Sequence, residues 1–522
     1  MKTVTLGPFL GINNRLPNFA LHVDGKGDFL KSAENVDIDN AGRLRSRPGV
    51  TLIQAMTGAH SLFLTSDTSG YLVRASSLYA ITLPSYTETL VKALSGNTAI
   101  SYVVHAGDVY CSNATQALRL VGSTSFPIAL PTPTAPGLSA TTGSLPEGAY
   151  QVSTSYRNSS TGEEGGISPS ASITLASVGG IVVTLPATTT GATHVNVYLS
   201  RTNGGVPYLL ASVAVGTATY TATALATGRE ITGRFEMPLP AGTLFSHNAR
   251  LCSFSGNTVY LGLPYRPGYC LALDSFLPFP APVSIAISGQ NGIYVVADKT
   301  YWIPDEGAVA DVLPYGAVSG TSFSLPNSSE VGWFGAEGVV IAGTQGNVKP
   351  LTAGAITLTP PGSGISAVFD GEYTKAVSCG WCVNLESGAA TRYTDWEFTS
   401  LSRNYGTKAD GLYATNGGGS VYASVGFGDL AFGDGRLKRI PNAYLAFSSA
   451  DPLRVTLFPE GGDSYDYDTR SCSESLRTQR VDIGRGLVST WFDASISNPT
   501  GASFVLAEVS FDVSPSTRRI QQ

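Results

Sequence analysis

Lysine is scarce in this 522-residue chain, 9 residues against 23 arginines, and charged residues make up only 13% of it, where about 25% is usual. Cysteine is sparse too. The six residues at 111, 252, 270, 379, 382 and 472 are too few for a disulfide-stapled scaffold and suit thiols kept reduced. No run approaches the roughly 18 apolar residues of a membrane helix. The N-terminus, Met1-Lys2-Thr3-Val4-Thr5-Leu6-Gly7-Pro8, lacks the apolar segment of a secretory signal, which predicts synthesis and folding inside a cell. A net charge of −6 without Lys/Arg clusters gives no support for a nucleic-acid-binding patch. Low charge does not mean disorder here, because 43% of the residues are apolar and 10% aromatic. The length predicts several domains. Arginine and tyrosine in place of lysine and glutamate is the composition of surfaces used for contacts.

Helical stripes are nearly absent. Short apolar runs with period-2 alternation, cut every eight to twelve residues by Gly, Pro, Asn, Asp or Ser, predict an all-β chain. One hairpin unit recurs: Tyr71–Ile81, Val109–Asn113 with Leu118–Leu120, Ile293–Ile303, Val339–Gly343 with Val348–Leu351, and Leu412–Asn416 with Val421–Tyr422. Weaker copies begin near Val259, Cys382 and Tyr444. A spacing of about 30 to 46 residues predicts β-propeller blades, about six to eight of them. A string of separate sandwiches is the alternative. The Pro-rich stretch Pro131–Gly137 interrupts the series. Roughly seven alternating strands follow in about 100 residues, predicting an inserted immunoglobulin or fibronectin-III-like sandwich. The expected organisation is an N-terminal arm and first strand (1–50), first blades (51–130), the sandwich (131–236), remaining blades (237–460) and C-terminal strands that close the propeller or meet a neighbouring subunit (461–522).

Catalytic and cofactor motifs are mostly missing. Cys379-Gly380-Trp381-Cys382 has redox spacing but sits among strand signals, where no helix N-terminus depresses a thiol pKa. Asp37-Ile38-Asp39-Asn40-Ala41-Gly42 opens like a calcium loop, yet Ala41 and Pro48 occupy ligand positions. The repeated phrase Gly426–Gly435 lacks the spacing and lysine of a phosphate cradle. Five histidines (22, 60, 105, 194, 247) show neither metal nor triad spacing. Asn158-Ser159-Ser160 is a sequon that stays unmodified without secretion. Asp370 with Glu372, or Asp463, Asp466 and Asp468, offers a carboxylate pair for glycoside hydrolysis on a propeller. Solvated acidic loops are the other reading of both. No metal, cofactor or catalytic residue is expected.

The ends carry a resemblance. Gly11-Ile12-Asn13-Asn14-Arg15-Leu16-Pro17, then Ser32–Gly42 and Arg43-Leu44-Arg45-Ser46-Arg47-Pro48-Gly49, with Arg477–Leu487, Asn498–Phe504 and Arg518-Arg519, resemble the opening and closing sections of tail nozzle proteins of short-tailed bacteriophages, also called tail tubular protein B. The resemblance implies a non-enzymatic virion structural protein, made in the host cytoplasm. It would form a ring of six copies that docks on adaptor (head-to-tail connector) proteins, meets tail fibre or tip proteins, and retains and then conducts DNA without sequence-specific binding. A net-negative chain with few lysines fits such a conduit. Strand alternation places Arg43, Arg45 and Arg47 on one face, suited to carboxylates of a neighbouring subunit or to guarding a solvated edge. With Arg485 they are the expected interface residues. The alternative function is a carbohydrate-binding or glycan-hydrolysing propeller used in host recognition. A third is a single-chain scaffold or adhesin without a ring.

Overall fold

The structure, a computed structural model, describes residues 2–23, 27–233, 235–359, 362–433, 435–484 and 486–516. Among the described residues the only helical element is the single 3-10 turn Asn18–Ala20, and nearly all else of regular structure is strand. The fold is all-β and of the β-propeller class, as the hairpin repeats predict.

Among the described residues six sheets have the four-stranded form of a blade, at residues 60–93, 101–127, 243–278, 285–313, 323–350 and 400–417 with 49–55, and four strands at 366–392 form a blade-like part of a nine-stranded sheet. Several of their middle strands are apolar throughout instead of alternating. Gly292–Val296, Val331–Gly335 and Gly338–Ala342 are buried at every position, as strands covered on both faces must be. Tyr294 shows why: its ring lies 5.8 Å from Trp333 of the next sheet, and its hydroxyl donates to Gly343 O at 2.8 Å. First strands of neighbouring sheets are clasped by serines, with Leu62 N donating to Ser400 Oγ (2.8 Å) and Leu64 N to Ser402 Oγ (2.9 Å).

The last blade departs from expectation. Gly411–Gly417 pairs with Gly49–Ala55 from the N-terminal region, while Val421 and Tyr422 lie outside any strand. The Gly417–Gly419 run ends the strand. A side chain at Gly417 would sit 2.0 Å from Thr51 Oγ1, so glycine is what lets the two strands meet.

The chain divides into two compact units. Unit 1 comprises residues 1–75, 81–88 and 289–522. In it the sheet of 366–392 continues through Ser32–Glu34 into Ser424–Leu430, Phe492–Ser497, Arg454–Pro459 and Tyr465–Asp468. A six-stranded sheet holds Lys438–Ser449, Phe504–Pro515, Ser473–Asp482, Val36–Ile38, Leu44–Ser46 and Lys2–Leu6. Both contribute to one core, with Phe427, Phe447, Phe492 and Phe511 fully buried. Each such ring adds about 1.5–3 kcal/mol relative to exposure. The described strands within 1–50 and 461–516 are thus woven into the same sheets, and Tyr444 belongs there and not to a blade.

Unit 2 comprises residues 76–80 and 89–288. It carries two blade sheets and a seven-strand sandwich. Leu138–Leu145, Gly179–Thr184 and Thr219–Ala222 form one layer; Ala171–Leu175, Gly148–Arg157, His194–Ser200 and Pro207–Ala214 form the other. Alternate residues such as Tyr150, Val152, Ile181, Val195 and Val197 close the core between them.

Candidate functional site

In unit 2 the hairpin Asp108–Ser112 and Ala117–Val121 sets Tyr110 opposite Arg119. Two-residue alternation brings Asp108 to the same face, where Arg119 Nε meets Asp108 Oδ2 at 2.8 Å. A loop after Gly148–Arg157 faces this hairpin across a cleft of about 670 Å³, within the range of small-molecule sites. Asn158 folds the loop: its Oδ1 accepts from Ser160 N (3.0 Å) and Thr161 N (3.2 Å), and its Nδ2 donates to Gly191 O (2.9 Å). The turn delivers Glu163, whose Oε1 accepts from the Tyr269 hydroxyl at 2.6 Å. Arg266 lies over the Tyr269 ring at 4.4 Å and donates to Glu164 O at 2.5 Å. Tyr265, 94% exposed, stands at the cleft with a positive φ of 60°.

Three carboxylates (Asp108, Glu163, Glu164) and three guanidiniums (Arg119, Arg229, Arg266) line the cleft, so its formal charge cancels. Burial raises the Tyr110 pKa; Arg119 opposes the shift, while Asp108 and Glu163 add to it. Both carboxylates are therefore felt at one hydroxyl. Burial also pushes the Tyr269 hydroxyl up, helped by its bond to Glu163. Behind the wall, Glu236 is raised by burial against the pull of Arg266, its ion-pair partner. Burial would raise Glu164 as well, but bonds from Ser155, Tyr198 and Asn196 and the charge of Arg229 outweigh it and hold it low.

Residues singled out in the sequence lie elsewhere. In unit 1, Glu372 pairs with Arg45 (2.8 Å) and lies 3.6 Å from Arg43, and Asp370 accepts from Thr374 Oγ1 (3.2 Å). Asp370, Glu372, Asp37 and Arg45 line a smaller hollow of about 330 Å³. Asp468 and Asp466 are held by Arg454 at 2.8 and 3.5 Å, and Asp463 lies in the irregular segment before their strand. Arg43 also binds Asp39 (2.7 Å). Arg47 corrects the shared-face expectation: it is 5% exposed and turned inward onto Tyr393 and Trp396, so it cannot meet a neighbouring subunit. Arg485, Arg518 and Arg519 lie outside the described residues.

Cys379 and Cys382 sit in different settings. Cys379 sits in a turn, while Cys382 is buried in Trp381–Asn384, its thiol donating to Asp37 Oδ1 (3.4 Å) and pushed up to about 12 by burial. Burial likewise raises Cys111 to about 12 and Cys252 and Cys270 to about 11. A neutral-pH thiol reagent should therefore label only the partly exposed Cys379 and Cys472 rapidly, since the thiolate is the nucleophile. Titration in denaturant should find all six; rapid native labelling of Cys382 would contradict its burial. The calcium-like segment is a turn, Asp39 Oδ1 accepting from Ala41 N (3.0 Å) and Arg43 N (2.9 Å). No cluster of three metal-ligating residues exists among the described residues.

Sequence reasoning missed Asp108, Tyr110, Glu163 and Tyr269. The adjacent Glu163-Glu164 in a Gly-flanked turn was the one visible signal; the others converge only through strand register.

No family model and no curated protein matches the chain. Among solved structures it is similar to BamB from Moraxella catarrhalis, at 11% identity over 70% of this chain and 96% of that one, with a TM-score of 0.30. It is similar to exo-β-1,3-galactanase from Phanerochaete chrysosporium, at 12% identity over 88% and 100%, TM-score 0.17. The GH74 enzyme of Niastella koreensis gives 11% identity over 76% of each chain, TM-score 0.25. None of these is a phage tail protein. The expectation of a tail nozzle without enzymatic activity is corrected on that finding, and a carboxylate-lined cleft is a feature a DNA conduit does not call for.

Proposed function

We propose that the protein is a carbohydrate-active β-propeller that takes a neutral glycan into the cleft of unit 2, with Asp108 and Glu163 as the carboxyl pair that acts on the glycosidic bond. The observation that carries this reading is the lining of the cleft. Its charges cancel, which disfavours a strongly charged ligand, while its carboxylates and guanidiniums offer the paired acceptors and donors that sugar hydroxyls need. The exposed ring of Tyr265 supplies a flat apolar face for a sugar ring. Hydrolysis asks for two carboxyl groups flanking one bond, one to protonate the leaving oxygen and one to serve as base or nucleophile. Asp108 and Glu163 come from separate segments that line the cleft, and both act on Tyr110.

A panel of neutral oligosaccharides, read by calorimetry and by release of reducing ends, tests the reading. One class should bind saturably and be cleaved. Glu163→Gln and Asp108→Asn should each cut cleavage by about 10²-fold or more, and Tyr265→Ala should weaken binding about three- to tenfold. A panel with neither saturable binding nor cleavage would remove the proposal.

A further inference from the structure

Unit 1 holds a separate hollow of about 160 Å³, lined among others by Arg47, Phe369, Tyr393, Trp396 and Thr415. Two of these lining residues carry a polar atom that is buried without a hydrogen-bond partner, Trp396 Nε1 and Thr415 Oγ1. Thr415 is 4% exposed. Buried polar groups are nearly always bonded, and those that are not need an explanation.

Arg47 adds a third unmet demand. Its guanidinium donates only to neutral oxygens: Asn35 Oδ1 (2.8 Å), Pro48 O (3.0 Å) and Thr394 O (2.9 Å). No carboxylate pairs with it among the described residues. Asp37, the nearest buried acid, is committed to Lys375 at 2.5 Å, and Asp395 is exposed. A guanidinium stays charged in a protein; the charges of Asp395 and Asp37 act on it favourably, but neither carboxylate caps it directly. A positive charge, an indole N–H and a hydroxyl around one hollow ask for the same thing, an anion with two acceptor oxygens. Phe369 and Trp396 line the same hollow with apolar surface. Its volume equals that of about five waters, which limits the guest to a few carbons.

We propose that this hollow binds a small organic carboxylate of about two to four carbons, its oxygens accepting from Trp396 Nε1 and Thr415 Oγ1 beside the Arg47 guanidinium. The site is independent of the glycan reading.

Acetate titrated into the full-length protein at constant ionic strength, with chloride as the exchanged ion, tests it. Tryptophan fluorescence and calorimetry should show one saturable site, with a rise in melting temperature that saturates over the same range. Trp396→Phe and Thr415→Val each remove one donor while keeping the shape, and each should weaken acetate binding about tenfold. Their melting temperatures without acetate should stay near the parent's. Absence of a saturable response in the parent overturns the proposal, as does unchanged affinity in both variants. An equal response to chloride or phosphate in place of acetate overturns the carboxylate assignment.

Discussion

A Lys375→Met protein is expected to lose about 3–5 kcal/mol of stability, the usual cost of removing one partner from a buried ion pair. Lys375 Nζ lies 2.5 Å from Asp37 Oδ2 and 3.1 Å from the Tyr393 hydroxyl. Burial alone would lower its pKa, but the charge of Asp37 wins and the ammonium is held above its ordinary value. Asp37 also accepts from Tyr393 and Cys382, so the methionine leaves a carboxylate in the interior with hydrogen bonds but no counter-charge. Asp37→Asn/Lys375→Met should recover much of the loss, because replacing a whole buried pair is often nearly neutral. All five tryptophans (302, 333, 381, 396 and 491) fall within unit 1, so fluorescence-detected denaturant unfolding reads the unit that contains the pair. A loss under about 1 kcal/mol, or strictly additive single and double effects, would show that the pair is not coupled.

That pair spans 338 positions, which explains what the sequence could not reveal. Blade hairpins were legible because each is local: Gly292–Val296 and Thr300–Pro304 pair across three residues, and their apolar text is written side by side. Gly49–Ala55 gave no such sign. Most of its side chains are exposed or half-exposed, and its partner lies more than 350 residues on. The Asn35–Gly42 segment, which carried the resemblance to nozzle proteins, has a full account inside this chain. Asn35 adopts a φ of 55°, donates to Thr394 Oγ1 (2.6 Å) and Tyr422 O (2.9 Å), and accepts from Arg47 (2.8 Å). Asp37 neutralises Lys375, and Asp39 ties the following turn. Alternation misled at Arg47 because Leu44–Ser46 is only three residues long; Arg47 lies past its end, where Pro48 redirects the chain. The cleft was hidden for the same reason as the ion pair: Asp108, Glu163 and Tyr269 sit on three segments that only register brings together.

Glu164→Ala should cost the sandwich of unit 2 about 3 kcal/mol or more. Its carboxylate accepts from Ser155, Tyr198 and Asn196 (2.8 Å for the last) and pairs with Arg229. Ser155, Tyr198 and Asn196 are buried, at 0–1% exposure, and a buried polar group left unsatisfied costs roughly 1–3 kcal/mol. The low folded-state pKa of Glu164 fixes the sign of the pH dependence. An acid whose pKa is depressed by folding adds stability above its unfolded value, and that stability is lost as pH falls through the folded value. The Glu164 contribution is therefore complete near neutrality and fades below about pH 4.5, the ordinary value. Glu164→Gln keeps the shape but cannot ionise, so parent and variant should differ most near pH 7 and converge as pH drops below that point. Unit 2 contains no tryptophan, so amide exchange in Gly148–Arg157 and His194–Ser200 is the suitable readout. A gap between the two proteins that stays constant from pH 7 to pH 3 would mean that shape, and not charge, is what Glu164 supplies.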